Sequence, residues 1–174
     1  MLILIYFHGF NILYGIILNH DYKTVYNRNK AGKKMVSETH LIVRYAETDK
    51  MGIVHHSNYA IWFEAGRTDF IKKAGLPYSK IEEKGLMLPL IELKCNFKIA
   101  ANYEDEIIIK TSIEEMTNTR IRFHYEVVRM GDKPVILSTG ETMHVWTDKN
   151  LKPVNLKKYS PVLFELFGNI LGES

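Results

Sequence analysis

The chain has one cysteine, Cys95, in 174 residues, so no internal disulfide can staple it and a reducing compartment is the simplest reading. Proline is scarce, at five residues, and the eleven glycines follow no period, which excludes collagenous and low-complexity chains. An excess of one charge is also missing, since 23 Lys and Arg stand against 20 Asp and Glu. Residues 1–34 hold five cations and one anion, whereas from Met35 on 18 cations meet 19 anions. The body therefore has no basic face for a phosphate backbone, and nucleic acid is not an expected partner. No Gly-x-Ser-x-Gly elbow, Gly-rich phosphate loop, His-Glu-x-x-His or cysteine pair occurs, so serine-hydrolase, phosphate-loop and metal chemistry have no support in the sequence.

What is present is a composition that is 46% hydrophobic and 25% charged, that of one globular domain able to bury roughly two thirds of its unfolded surface. That domain is expected over residues 35–174. Ahead of it, residues 1–34 form an extension that is first apolar, LILIYFHGFNILYGIIL from Leu2 to Leu18, and then basic. A run of about 17 residues is at the lower limit for a bilayer span, no cation precedes it and no small-residue cleavage site follows. Three readings stay open: translation starts physiologically at Met35, residues 2–18 contact a membrane, or the extension packs on a partner. Membrane contact is not the leading one, and a cytoplasmic location is expected.

From Met35 onward the hydrophobic period is two in four stretches. Leu90–Ile99 sets Ile91, Leu93, Cys95, Phe97 and Ile99 against Glu92, Lys94, Asn96 and Lys98. Asp105–Ile113 sets Ile107, Ile109, Thr111 and Ile113 on one side, and Arg120–Val128 does the same with Ile121, Phe123, Tyr125 and Val127. Val135–Trp146 alternates more weakly, with Val135, Leu137, Met143 and Val145 sharing a side. With His40–Tyr45 as a first strand, this predicts five antiparallel strands, each packed on one face. The short links 117–119 and 130–134 make the later strands a meander.

Ser57–Ala74 behaves differently: Tyr59, Phe63, Gly66, Phe70 and Ala74 recur at helical steps, one face of a helix roughly 27 Å long at about 1.5 Å per residue. Gly75 and Pro77 end it, Ser79 and Glu82 suggest a capping box for a short second helix to Lys84, and Ser160-Pro161 opens a last one. A long helix inserted after the first strand of an antiparallel sheet places the chain in the α+β class.

The segment from Arg44 to Ile71, RYAETDKMGIVHHSNYAIWFEAGRTDFI, resembles the signature of the acyl-CoA thioesterases of the hotdog fold, nearest the 4-hydroxybenzoyl-CoA thioesterase and YbgC-like group. The elements of that signature are Asp49, Gly52, the pair Ile53-Val54, His56 seven positions after the Asp, and Asn58-Tyr59 at the helix start. The resemblance runs from about Glu38 to Lys158 and leaves the apolar head outside. It implies a five-stranded antiparallel sheet wrapped around one long central helix, a homodimer or homotetramer, and hydrolysis of short- or medium-chain or aromatic acyl-CoA without metal or cofactor.

On that resemblance Asp49 is the general base or nucleophile, and the helix N-terminus at His56 supplies the oxyanion donor, with the imidazole orienting water or shuttling a proton. Gly52, Val54, His55, Asn58 and Tyr59 are the expected substrate-contacting residues. Read locally, each has a plainer role: Asp49 as a turn residue, Gly52 as the tight turn itself, His55 as a surface histidine, His56 as a cap, and Tyr59 as packing. Glu64, about 12 Å further along the helix by rise alone, is the second carboxylate, and His144 is expected to be structural or to line the substrate. An acyl-carrier-protein thioesterase and a non-catalytic acyl- or partner-binding module are the alternative functions.

Overall fold

The computed structural model describes residues 34–172, so the apolar head lies outside the described residues. Five strands, β1 (Ser37–Ile42), β2 (Leu90–Phe97), β3 (Glu106–Met116), β4 (Arg120–Arg129) and β5 (Val135–Val145), form one antiparallel sheet in the order β1-β3-β4-β5-β2. Helix α1 (Ser57–Lys73) lies across the inner face of the sheet, burying Tyr59, Trp62, Phe63, Gly66, Phe70 and Ile71. Phe63 stacks on Tyr125 of β4 at 4.6 Å between ring centroids, and Phe70 meets Phe123 edge to face at 5.9 Å. The α+β architecture expected from the sequence, a sheet curled around one long helix, is the one observed.

Two short helices, α2 (Tyr78–Glu83) and α3 (Leu156–Tyr159), and the terminal α4 (Pro161–Leu171) complete the chain. Buried Leu163, Leu166, Phe167 and Ile170 on one side of α4 close the core, with Phe167 against Trp146 at 5.6 Å. No helix among the described residues is long and apolar enough to cross a membrane.

Four local expectations change. Strand β1 runs Ser37–Ile42 rather than His40–Tyr45: its start is polar and hides the alternation, while Arg44 leaves the sheet to give its N–H to the Glu47 carboxylate. Ser79 makes no capping box; the cap position falls two residues earlier, at Pro77, and α2 begins at Tyr78. In β5 the bulge at Leu137 reverses the faces, because Val127 pairs with Ser138 while Val128 already pairs with Ile136. Partners in an antiparallel ladder share a face. Ser138, Gly140, Thr142 and His144 thus point inward with the β4 residues Val127, Tyr125, Phe123 and Ile121, and Met143 and Val145 point outward.

The reversal has a packing reason: a Cβ at Gly140 would meet the Phe63 ring and lie 2.9 Å from the Lys94 carbonyl, so only glycine lets α1 sit this close. The last change concerns β2. It pairs with β5 alone, a bulge at Ile91 brings Leu90 rather than Ile91 to the inner side, and its apolar face is largely uncovered, with Leu93 38% and Phe97 56% exposed.

Candidate active site

After β1 the chain makes a 3-10 turn over Tyr45–Glu47 and then a tight loop whose base is closed by pairing of Thr48 with Val54. Inside the loop, Asp49 N–H donates to Ile53 O at 2.9 Å and Gly52 N–H returns to Asp49 O at 2.9 Å. Asp49 Oδ1 accepts the Met51 N–H at 2.8 Å. The turn residue and the candidate base are thus the same side chain, with one oxygen occupied by the turn in a residue that lines the cleft. Gly52 has φ 77°, a left-handed conformation that side chains resist, which is why glycine stands there.

The loop then feeds α1 through His55 and His56. Val54 N–H is tied to Ala101 O at 2.8 Å, and His55 N–H to Glu47 O at 2.8 Å. Ser57 N–H approaches His55 Nδ1 at 3.4 Å, and Ser57 Oγ lies 2.8 Å from that nitrogen, so the His55 ring is held at the helix start, where His56 occupies the cap position without a side-chain cap bond. The His56 N–H has no acceptor among the described residues, one of the orphan donors that every helix start leaves. The His56 ring lies against His55 with centroids 4.1 Å apart.

Asp49 and His56 line one cleft of about 230 Å³ with Met51, Ile53, Val54, Tyr59 and the stretch Phe97–Ala100. Tyr59 is buried, its hydroxyl pushed up from the ordinary tyrosine range by desolvation, and its ring meets Phe97 edge to face at 4.9 Å. Of the expected site residues, Asp49, His56, Val54 and Tyr59 come together here. Gly52, His55 and Asn58 do not line the cleft: Gly52 shapes the loop, the His55 ring bonds Ser57 at the start of α1, and Asn58 Nδ2–H donates to Glu47 O at 2.8 Å and His55 O at 3.3 Å.

Phe97, Lys98, Ile99 and Ala100 went unread as site residues because they sit some 40 positions downstream and reach the cleft only through the pairing of Ile53 with Asn102 and the bonds of Lys98 and Ile99 N–H to Leu137 O.

Glu47 is the other residue the sequence did not single out. Its carboxylate is 4% exposed and accepts Arg44 N–H at 2.7 Å, Arg44 Nη2 at 3.0 Å and Trp62 Nε1–H at 3.0 Å. Burial pushes this carboxyl up, but the bonds from Arg44 and Trp62 outweigh it and hold the group below the ordinary carboxylate range. A buried acid two residues before a second acid is the only sequence hint.

Glu64 lies away from Asp49, in a separate cavity of about 170 Å³ with Arg67, Leu90, Leu93, Tyr125, Thr142 and His144. His144 Nδ1 is 3.1 Å from Leu88 O, an acceptor only, so that nitrogen carries the proton and Nε2, 2.9 Å from Thr142 Oγ1, accepts. Thr142 therefore donates to His144 and receives from Tyr125 Oη at 2.7 Å. Desolvation, with Arg67 nearby, pulls the imidazole down to about 4, and burial pushes the Tyr125 hydroxyl up to about 12. His144 is a neutral structural link with one ring edge in this cavity.

A five-stranded antiparallel sheet curled around one long helix, with Asp49 and His56 lining a cleft where that helix starts, defines a hotdog-fold protein. Residues 43–162 match the Thioesterase-like superfamily, and the chain belongs to it. YneP of Bacillus subtilis (strain 168) is 35% identical over 127 residues, 72% of this chain and 91% of that one. The crystal structure of DHNA-CoA thioesterase from Staphylococcus aureus superposes with a TM-score of 0.73 at 34% identity, over 78% of this chain and 90% of that one. The 4-hydroxybenzoyl-CoA thioesterase of Pseudomonas sp. (strain CBS-3) is 27% identical over 105 residues, 57% of this chain and 74% of its own.

Proposed function

We propose that this protein is an acyl-CoA thioesterase that hydrolyses short- or medium-chain or aromatic acyl-CoA to the free acid and CoA at the Asp49 cleft. The observation that carries the reading is that Asp49 and His56, whose N–H has no acceptor among the described residues, line one apolar-walled cleft. The thioester carbonyl oxygen takes its place at the His56 N–H, where the start of α1 favours negative charge. Asp49 then removes a proton from water as the water oxygen bonds to the carbonyl carbon, or attacks that carbon itself to give an anhydride that water opens. In either course the tetrahedral oxyanion collapses, the C–S bond breaks, and the thiolate leaves to be protonated as CoA. Ile53, Val54, Tyr59 and Phe97 give the acyl group an apolar wall, and the chemistry asks for no metal or cofactor.

The same reading includes a homodimer. Strand β2 is an edge with free ladder groups and a row of exposed apolar residues, Leu90, Leu93 and Phe97, which a second copy of the same edge would cover about a two-fold axis. A CoA substrate is consistent with a cytoplasmic location.

The test is turnover of a panel from acetyl- to palmitoyl-CoA together with benzoyl- and 4-hydroxybenzoyl-CoA, with carrier-protein thioesters alongside. Asp49→Asn is expected to lower kcat/KM by about 10² or more with the fold intact. Equal rates for both proteins would remove Asp49 from the mechanism and make Glu64 the next carboxylate to replace. Preference for carrier-protein thioesters would move the substrate class, and tight acyl-CoA binding without turnover would leave a binding module.

A further inference from the structure

Glu47 is held by more hydrogen bonds than either residue given a chemical role, and it joins the loop that carries Asp49 to helix α1. Its carboxylate bonds Arg44, at the exit from β1, and the indole of Trp62, in the second turn of α1. Its carbonyl oxygen accepts the N–H of His55 and the side-chain amide of Asn58, each at 2.8 Å. Asp49 follows two residues later on one side of this node, and His56 follows His55 on the other. The whole loop carrying Asp49 therefore springs from a base that Glu47 closes with both its side chain and its main chain. Met51 and Gly52, at the loop tip, are exposed and meet no comparable anchor.

Resting on the reading that Asp49 and His56 carry the chemistry, we propose that Glu47 is a positioning residue that sets the Asp49 carboxylate against the His56 N–H by locking the loop base to Trp62 of α1. The physical reason is that strand exit and helix are otherwise joined at this point by bonds to a main-chain oxygen, from His55 N–H and the Asn58 amide to Glu47 O, which leave the loop base free to rotate about that one carbonyl. A buried carboxylate bonded to donors on both elements fixes that rotation. A displacement of about 1 Å between a base and its target costs on the order of 10²-fold in rate, so loss of the lock should appear in the chemical step and not in binding.

The experiment compares wild type, Glu47→Ala, Glu47→Gln, Trp62→Phe and Asp49→Asn, and adds the double variant Glu47→Ala/Asp49→Asn. Each is assayed for kcat and KM on one good acyl-CoA substrate, well below its own melting temperature. Glu47→Ala should lower kcat by about 10- to 100-fold with KM changed less than about threefold. Glu47→Gln, which keeps one acceptor oxygen, should recover part of the loss, and Trp62→Phe, which removes one donor of three, should lose less than Glu47→Ala. In the double variant the Glu47 change should cost nothing beyond Asp49→Asn, because a residue that acts through Asp49 has nothing left to position.

Wild-type kcat in a folded Glu47→Ala, beside an inactive Asp49→Asn, overturns the proposal and leaves the catalytic reading standing. So does a Glu47 effect that multiplies with Asp49→Asn or is abolished by lowering the temperature, since either marks a general loss of fold. Wild-type rates in Asp49→Asn would instead sink the catalytic reading itself. Should Glu47→Ala fail to fold, Glu47→Gln and Trp62→Phe carry the same kcat-against-KM comparison.

Discussion

Strands β2 and β4 carry the same alternation, an apolar residue at every second position with charged or polar residues between, and meet opposite fates. In β4, Ile121, Phe123, Tyr125 and Val127 are all fully buried, Phe123 and Tyr125 against rings of α1. In β2, Leu90, Leu93 and Phe97 look toward the same side of the sheet and remain 38–56% exposed. Helix α1 packs on β1, β3 and β4 and leaves most of β2 uncovered, so like sequence patterns produce a core in one strand and an exposed apolar face in the other. Alternation reports that a face is apolar; it does not report what lies against it.

The sharpest way to break this contrast is to truncate one residue from each strand. Phe123→Ala should cost about 3–5 kcal/mol in urea unfolding, as expected for a buried ring whose cavity the rigid α1 seam cannot refill, whereas Leu93→Ala should cost about 1 kcal/mol or less in dilute protein. A Leu93 loss as large as that of Phe123 would mean that the edge is covered at every concentration tested.

Next in size is an acid effect in the covered region alone. Below about pH 6.5 the unfolded chain binds a proton at His144 that the folded chain refuses until about pH 4, so stability is intact above that window and falls through it as the pH drops, by up to about 3 kcal/mol. His144→Asn should flatten the difference between melts at pH 7 and pH 4.5, relative to wild type.

Gly140→Ala tests the helix-to-sheet distance and should destabilise by about 1–3 kcal/mol, since the Phe63 ring and the Lys94 carbonyl are both stiff neighbours. Smallest in stability, yet decisive for the edge, is Leu93→Lys. Its melting point should shift little, while the mass measured by light scattering should drop from two copies to one.

These contrasts also mark what the residue order reveals. The five strands, the α1 face and the β3-β4-β5 meander follow from local periods and short turns, and all are present, with β1 lying three residues earlier than read. The reversal in β5 was illegible because a bulge at Leu137 leaves the composition of the strand unchanged while exchanging its faces. In the site, Asp49, His56, Val54 and Tyr59 stand within one short motif and fall together, whereas Phe97–Ala100 arrive from a distant strand end. Glu47 escaped notice for a different reason: charged residues in loops are usually solvated, and nothing local distinguishes one that Trp62 and Arg44 enclose.

The run of hydrogen bonds from Tyr125 through Thr142 and His144 to Leu88 has a single direction, because only one end of it terminates in a carbonyl. It therefore keeps a proton on buried His144 Nδ1, against the Leu88 carbonyl in the segment that leads into β2. That proton should exchange slowly enough to be seen as a separate NMR resonance, and its disappearance would time the opening of the seam beside Glu64 without any label being added to the protein.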